Sequence, residues 1–231
     1  MKKERIFMLL AIVALFVFFW VIQKSEKAVE TTDKNLTFPQ LTTDVLENER
    51  LVEMETSMGT IKIKLFEKQA PKAVENFLTY SKEGFYEGLI FHRIIEGTLI
   101  QGGDPLGTGE GGESIWGGYF DKEDSKELYH VRGALAMVSA SPGKHGSQFL
   151  IVQNKSLDKD YVKEMEEEHY PKKIIEAYEE QGGVPWLDGG ETVFGQVIEG
   201  MDVVDKIAQV KVDSQQKPKK NVIIKKITIV K

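Results

Sequence analysis

The sequence predicts a mainly β domain, a closed barrel flanked by two helices, with a helical insertion and a preceding N-terminal transmembrane helix. Three observations carry this prediction. Short stretches within residues 51–230 alternate apolar and polar side chains, two stretches repeat apolar residues with helical spacing, and residues 6–22 contain no charged side chain. Alternation is typical of strands with one buried face, and many such strands with few helices favour a barrel.

The N-terminus is predicted to be a membrane anchor. Residues 1–5 carry three basic side chains, and the apolar run 6–22 that follows is 17 residues long. This length is at the lower limit for a spanning helix and exceeds the apolar core of most signal peptides. The nearest cleavage sequence, which ends at Ala28, lacks small residues at the required spacing. We therefore expect an uncleaved signal anchor in the cell membrane, with secretion after cleavage as the alternative.

The charges beside this anchor predict its orientation. By the positive-inside rule, residues 1–5 stay in the cytoplasm and the C-terminal domain of a single-pass chain lies outside it. Residues 23–49 are polar and have little periodicity. Such a composition predicts a linker that holds the domain, residues 50–231, off the membrane.

Composition excludes several classes of function. The net charge of −6 disfavours nucleic acid as a partner, because phosphate binding normally requires a basic surface. The absence of cysteine from the sequence excludes disulfides, thiolate catalysis and cysteine-ligated zinc. His130, His145 and His169 lack the spacing of metal ligands, so we expect neither a metal nor another cofactor.

The strands are predicted in chain order. Residues 51–56 and 60–65 alternate on either side of a Ser-Met-Gly turn, which is the pattern of a β-hairpin. The residues from 102 to 118 are rich in glycine and are predicted to be a loop. The remaining strands are predicted at 91–94, 99–101, 134–138, 148–152, 193–197 and 221–230.

Helices are predicted at both ends of the domain and in an insertion. Pro71 begins the first helix and Gly84 ends it, in keeping with the positions that these residues favour in helices. Residues 201–208 form the second. Residues 157–185 are helical in composition and acidic, and we expect two short helices separated at Pro171. This insertion is expected to pack on the barrel; a contact surface for a partner or substrate is the alternative.

Four separated motifs contain the side chains that could act on a substrate. They are Phe91-His92-Arg93-Ile94-Ile95, Gln101-Gly102-Gly103-Asp104, Gly146-Ser147-Gln148-Phe149-Leu150-Ile151 and Trp186-Leu187-Asp188-Gly189. Together they place one arginine, two glutamines and several apolar side chains on different strands, without a nucleophile. Such a site can hold a backbone carbonyl beside an apolar ring, which suits rotation of an Xaa-Pro bond better than bond cleavage.

Other enzyme classes lack their sequence context. The spacing Gly107-x-Gly109-x-x-Gly112 matches a dinucleotide-binding loop, but no βαβ unit surrounds it. A serine hydrolase would need a Gly-x-Ser-x-Gly elbow, which the sequence lacks. His92 alternates with Arg93 along a strand, so it should turn away from Arg93 and have a structural role.

The motifs resemble those of the cyclophilins, which are peptidyl-prolyl cis/trans isomerases, and in particular the extracytoplasmic cyclophilins of Gram-positive bacteria. The similarity extends from about residue 51 to 231 and implies an eight-stranded antiparallel barrel capped by two helices. It implies that Arg93 is catalytic and that Gln148 acts with it. The substrate-binding residues that it implies are Thr98, Leu99, Gln101, Met137, Val138, Ser139, Phe149, Leu150, Trp186, Leu187 and Glu191.

Three of these positions depart from the family pattern. Thr98 and Leu150 stand where the family usually has phenylalanine, and Glu191 stands where a histidine is common at the pocket rim. Loss of the two rings should weaken packing against proline, by about one to three kcal/mol per ring at most. We therefore expect reduced activity, and poor binding of cyclosporin, which is a trait of the family.

The resemblance implies a rotamase that assists the folding of exported proteins, in which Arg93 stabilises the twisted prolyl amide. Its partners would be Xaa-Pro-containing polypeptides, such as unfolded exported proteins, and the membrane. The alternative function is a cyclophilin-like module of low activity that binds Pro-containing segments or a partner protein through residues 157–185. Arg93 and Gln148 favour the enzyme, whereas the altered pocket favours the binding module.

Overall fold

The computed structural model describes residues 36–231. The predicted cytoplasmic N-terminus, the predicted membrane anchor and residues 23–35 of the predicted linker lie outside the described residues. The chain divides into two units, residues 1–37 and residues 38–231. Within the described residues, no helix combines the length and apolar character that crossing a membrane requires. The fold and the site both belong to the second unit.

One antiparallel sheet forms the body of this unit. Its strands are β1 (Arg50–Thr56), β2 (Gly59–Leu65), β3 (Arg93–Ile95), β4 (Leu99–Gly102), β5 (Phe120–Asp121), β6 (Ala134–Ser141), β7 (Lys144–Val152), β8 (Val193–Glu199) and β9 (Ile224–Ile229). Eight of them follow the order β3-β4-β7-β6-β8-β2-β1-β9, and the short β5 pairs with β7. All the pairings are antiparallel. The predicted mainly β, antiparallel fold is confirmed.

The sheet curls until its two edges approach each other. The residues that lead into β3 and β9 are joined by an antiparallel bridge between Ile90 and Ile223. The Phe91 amide also donates a hydrogen bond to the Val222 carbonyl at 3.0 Å. The edges thus meet through a few hydrogen bonds, whereas the sequence predicted a closed barrel.

Within residues 36–231, four α-helices accompany the sheet. They are α1 (Pro71–Lys82), α2 (Lys159–Glu167), α3 (Lys172–Gln181) and α4 (Met201–Ala208). As predicted, α1 begins at Pro71, and Gly84, which has a φ of +74°, follows its end. Phe77 of α1 places its ring within 5.1–5.5 Å of three other core rings, those of Tyr86, Phe149 and Phe194. Each such buried ring contributes on the order of 1.5–3 kcal/mol, so α1 is fixed to the sheet by its apolar face.

The insertion consists of α2 and α3, as expected from the sequence. The Asp158 carboxylate caps α2 by accepting a hydrogen bond from the Asp160 amide at 3.1 Å. Met165, Ile174 and Tyr178 are buried together in a separate apolar cluster. The insertion therefore has a core of its own, packed on the domain.

The last part of the predicted linker belongs to the domain. Gln40 is buried: its Nε2 donates to the Tyr129 carbonyl at 2.9 Å and to the Gln196 Oε1 at 3.0 Å. Its Oε1 accepts from the Tyr129 amide at 2.7 Å. The linker prediction is therefore wrong for residues 38–49, because three specific hydrogen bonds fix a segment whose polar composition resembles that of a tether.

The same segment covers a lysine on the outer face of β2. Lys64 has no exposed surface; its Nζ lies 3.6 Å from the Glu49 Oε2 and donates to the Asp44 carbonyl at 2.9 Å. Burial lowers the pKa of the Lys64 ammonium, against the opposing effect of Glu49. A buried charge is tolerated only when it is paired, so residues 44–49 and β2 depend on each other.

Candidate active site

Five of the predicted site residues lie on one face of the sheet. Arg93 of β3 is the direct neighbour of Gln101 on β4, which in turn neighbours Leu150 on β7. Residues two apart along a strand share a face, so Leu99 and Gln148 lie on this same face. Three strands thus bring an arginine, two glutamines and two leucines together.

The Arg93 side chain is exposed at the edge of the sheet and is held from two sides. Its Nε donates to the Gln216 Oε1 at 2.9 Å, and one terminal nitrogen donates to the Gln101 Oε1 at 3.4 Å. Both acceptors are neutral amide oxygens. The guanidinium is therefore oriented by them without losing its positive charge.

Gln101 and Gln148 connect Arg93 to a glycine-rich loop. The Gln101 Nε2 donates to the Gln148 Oε1 at 2.9 Å. The Gln148 Nε2 donates in turn to the Gly109 and Gly111 carbonyls at 3.0 and 2.8 Å. Both glutamine side chains are buried. This chain of amide hydrogen bonds joins the arginine to the opposite wall of the site.

Asp104 holds the same loop from inside. The carboxylate is buried and accepts hydrogen bonds from the backbone amides of Leu106, Thr108 and Gly109 at 2.6–2.9 Å. These amide donors lower the pKa of the Asp104 carboxyl, although its burial acts in the opposite direction. The loop is consequently built around one ionised carboxylate.

A cleft of about 420 Å³ lies between the arginine and this loop. Its walls are formed by His92, Arg93, Gln101, Gly107, Thr108, Gly109, Val138, Gln215 and Lys217. Val138 also packs against an apolar cluster that contains Leu99 and Leu150, with Leu187 at its margin. A cationic and amide-lined cleft therefore adjoins an apolar surface, which is the arrangement that the sequence motifs predict. Thr98 is half-buried in the turn just before β4.

Met137 and Phe149 do not contribute to this face. Both side chains have no exposed surface and belong to the main core on the other side of the sheet. Strand alternation is the reason, since Phe149 lies between Gln148 and Leu150 and must point the opposite way. The predicted substrate contact by these two residues is wrong.

The rim of the site contains Glu191 and Ser139. The Ser139 hydroxyl donates to the Glu191 Oε2 at 2.8 Å, which fixes the strand edge beside Val138. Burial raises the pKa of the Glu191 carboxyl, partly opposed by this hydrogen bond. Trp186 is 48% exposed, and its ring centroid lies 5.2 Å from that of Tyr161 in the insertion.

His92 is buried and lines the cleft. The sequence predicted instead that its side chain turns away from Arg93. Neither ring nitrogen has a hydrogen-bond partner among the described residues. Burial lowers the pKa of the His92 imidazole and so favours its neutral form. The structural role of His92 stays a prediction, and the ring shares the lining of the cleft with Arg93.

His145 is expected to make the stability of the domain depend on pH. Burial lowers the pKa of its fully buried imidazole to about 4, whereas an unfolded histidine titrates near 6.5. Between these values the unfolded state binds the proton and the folded state does not. The unfolding free energy should therefore fall by about 3 kcal/mol as the pH decreases from 6.5 to 4.

Urea titrations at a series of pH values would measure this effect. A His145→Asn protein should lose this part of the pH dependence, whereas His169→Asn, at an exposed histidine, should keep it. Equal pH profiles for the native and His145→Asn proteins would contradict the prediction.

The sequence motifs missed Gln216 and the loop that carries it. Gln216 lies 123 residues from Arg93 in the chain, and its neighbours Gln215 and Lys217 line the cleft. The segment is polar and carries no periodicity that would assign it to the site. Only the meeting of the two sheet edges brings it to Arg93.

Comparison with known proteins identifies the family. The family model described as "Cyclophilin type peptidyl-prolyl cis-trans isomerase/CLD" matches residues 51–229. The chain belongs to the cyclophilin family. This cyclophilin is 47% identical over 192 residues to a Staphylococcus epidermidis protein named provisionally as a peptidyl-prolyl cis-trans isomerase, covering 83% of this chain and 98% of that protein.

Solved structures agree with this assignment. A crystal structure of a cyclophilin-type peptidyl-prolyl cis-trans isomerase from Cryptosporidium parvum aligns with a TM-score of 0.65 at 37% identity. The alignment covers 79% of this cyclophilin and 98% of that chain. The same protein crystallised in the presence of the dipeptide Ala-Pro aligns with a TM-score of 0.63 at 38% identity, covering 78% and 99%. The enzyme class is thus peptidyl-prolyl cis-trans isomerase.

Proposed function

We propose that this cyclophilin isomerises Xaa-Pro bonds in exported polypeptides, with Arg93 as the residue that stabilises the twisted amide. One observation carries the proposal: the Arg93 guanidinium shares a sheet face with an apolar surface formed by Leu99 and Leu150. Crystallisation of the Cryptosporidium parvum relative in the presence of Ala-Pro supports a Pro-containing ligand.

The barrier to this reaction is electronic. Resonance gives the amide bond double-bond character, so rotation costs roughly 18–20 kcal/mol and takes tens of seconds or longer unaided. In the twisted transition state the prolyl nitrogen becomes pyramidal and regains its lone pair. A donor that faces this nitrogen stabilises the twisted state more than the planar one, and only such differential binding accelerates the reaction.

Arg93 can supply that donor. A guanidinium has five N–H groups in a rigid fork, so the two that bind Gln216 and Gln101 leave three for the substrate. One of these can face the prolyl nitrogen while another holds the neighbouring carbonyl. Leu99 and Leu150 hold the apolar ring as the other half of the bond turns.

Exchange spectroscopy of a short Xaa-Pro peptide tests the proposal. The full-length protein in detergent micelles should raise the cis/trans exchange rate seen by NMR at substoichiometric enzyme concentration. Detergent alone is the control. Saturable shifts of the peptide signals without faster exchange would overturn the proposed catalysis and leave a binding module.

Restoring an aromatic ring at position 98 should strengthen substrate binding. Thr98 is half-buried beside Leu99, and a Thr98→Phe side chain could cover the proline ring. We expect KM to fall about five- to tenfold, within the range of one to three kcal/mol for a buried ring, with tighter binding of cyclosporin. Steady-state kinetics and titration with cyclosporin would measure both. Thr98→Val, which adds no ring, is the matched control, and an equal KM for both variants would contradict the prediction.

A second function, recognition through the insertion, is favoured by one contact. Tyr161 of α2 and Trp186 are partly exposed and lie side by side, and Leu187, next to Trp186, packs on the apolar cluster of the site. A polypeptide bound in the groove could therefore continue onto the insertion. Tyr161→Ala should then weaken binding of long Pro-containing segments and leave tetrapeptides unaffected; equal losses for both would speak against this role.

We also propose that residues 6–22 anchor the protein in the cell membrane with residues 38–231 outside the cytoplasm. The proposal rests on the apolar run and on the basic residues that precede it. Mass spectrometry of the mature protein should find an intact N-terminal segment, and external protease should reach the domain in protoplasts. A mature N-terminus after Ala28 would overturn the anchor in favour of secretion, and a protected domain would overturn the location.

A further inference from the structure

We infer that Gln216 is a positioning residue for the isomerase reaction, because it holds the Arg93 guanidinium in the orientation that the substrate requires. The inference rests on the proposed role of Arg93. The Gln216 Oε1 accepts the Arg93 Nε–H at 2.9 Å, whereas the contact of Arg93 with Gln101 is longer, at 3.4 Å. Gln216 is therefore the closer of the two partners that fix this side chain.

The backbone of Gln216 is built to present its side chain there. Its φ is +66°, in the left-handed region that disfavours residues other than glycine, asparagine and aspartate. The Gln216 carbonyl accepts from the Ile94 amide at 2.8 Å, directly beside Arg93. The glutamine is thus tied to β3 through both its backbone and its side chain. An unfavourable backbone conformation that places a side chain on a site residue points to a functional role.

The surrounding turn holds this conformation. The Asp213 carboxylate accepts from the Gln215 and Lys217 amides at 2.8 and 3.0 Å. The Lys217 Nζ donates to the Gly107 carbonyl at 2.9 Å, which fastens the turn to the glycine-rich loop across the cleft. The position of Gln216 is therefore set by the loop and by β3 together.

The chemistry explains why an amide suits this position. The guanidinium must keep its charge to stabilise the lone pair of the prolyl nitrogen, and a carboxylate partner would offset that charge. An amide oxygen accepts the Nε–H and leaves the charge in place. Since Nε lies on the stem side of the guanidinium, holding it fixes the plane of the whole fork and leaves terminal donors for the substrate.

A Gln216→Gly protein separates this role from folding. Glycine adopts positive φ freely, so the turn should persist and the thermal midpoint should change little. We expect kcat to fall roughly tenfold with KM nearly unchanged, because misplacing a catalytic group by about an ångström costs up to a hundredfold. Ser214→Gly, at an exposed position of the same turn, adds the same backbone freedom and should leave kcat at the native value.

NMR of the Arg93 Nε–H group supplies a readout that a purely structural role would not change. In the full-length protein in micelles this proton should exchange slowly with water, and it should exchange rapidly in Gln216→Gly but not in Ser214→Gly. A native kcat in Gln216→Gly, or an unchanged Nε–H signal, would overturn the inference.

A double-substitution cycle distinguishes this inference from the proposed function. If Arg93→Ala lowers kcat/KM to a residual level that can still be measured, adding Gln216→Gly should cause no further loss, since Gln216 acts through Arg93. Additive losses from the two changes would overturn the positioning role and leave the proposed function intact. Native activity in Arg93→Ala would instead overturn the proposed function itself.

Discussion

Replacing Arg93 by alanine should lower kcat/KM for Xaa-Pro peptides on the order of 10²–10³-fold, the range found when one preorganised donor is removed from an active site. The side chain is exposed, and its partners Gln216 and Gln101 are neutral amides, so the unfolding free energy should change little. Exchange NMR and urea titration of the same preparation would measure both quantities.

Arg93→Lys is the informative control for this variant. Lysine keeps the positive charge but lacks the planar fork, so it cannot hold Gln216 and the substrate in the same way. We expect an activity between those of the native and alanine proteins. Rates within twofold of the native value for Arg93→Ala would show that isomerisation does not depend on this side chain.

Replacing Lys64 by methionine should destabilise the domain by about 3–5 kcal/mol. The change leaves Glu49, which is 2% exposed, without the ammonium 3.6 Å away, and loss of one partner from a buried ion pair typically costs this much. Adding Glu49→Gln should recover a large part of the loss, because the buried charge is then removed from both sides. Urea titration would measure each unfolding free energy.

Lys62 offers a matched control on the same strand. Its ammonium pairs with Glu199 at 3.0 Å and with Glu53 at 3.9 Å, but its side chain is 34% exposed. An exposed ion pair contributes at most about 1 kcal/mol, so Lys62→Met should be nearly neutral. Equal losses of unfolding free energy for Lys62→Met and Lys64→Met would mean that residues 44–49 do not shield the outer face of β2 from solvent.

The strands and helices could be predicted because their side-chain periodicity is local. Residues 60–65 alternate strictly, and the helix beginning at Pro71 has a clear start signal, so neighbours in the chain suffice. The burial of Lys64 could not be predicted this way, since alternation assigns it to solvent. Lys64 is buried because the segment that contains Gln40 folds onto the domain. The three hydrogen bonds of Gln40 that fix this segment cannot be predicted from its composition.

The candidate site, too, could be predicted only in part. Arg93, Gln101 and Gln148 follow from their motifs, and the structure brings them into one hydrogen-bonded chain. The predicted substrate contact of Phe149 conflicts with strand periodicity, because period-two alternation places this side chain on the face opposite Gln148. Gln216 was not accessible to sequence reasoning, since its contact with Arg93 depends on how the two edges of the sheet meet.

The Asp104 carboxylate orders part of the glycine-rich loop before the enzyme binds its substrate. Residues 102–118 include eight glycines, a composition that normally carries a large conformational entropy in the unfolded chain. Three amide donors to one buried carboxylate hold residues 104–109 of this segment in a single conformation. The conformational entropy of these residues, roughly 1–2 kcal/mol per residue, is therefore lost when the domain folds and not when a polypeptide binds. It does not reduce the affinity of the groove for the polypeptide.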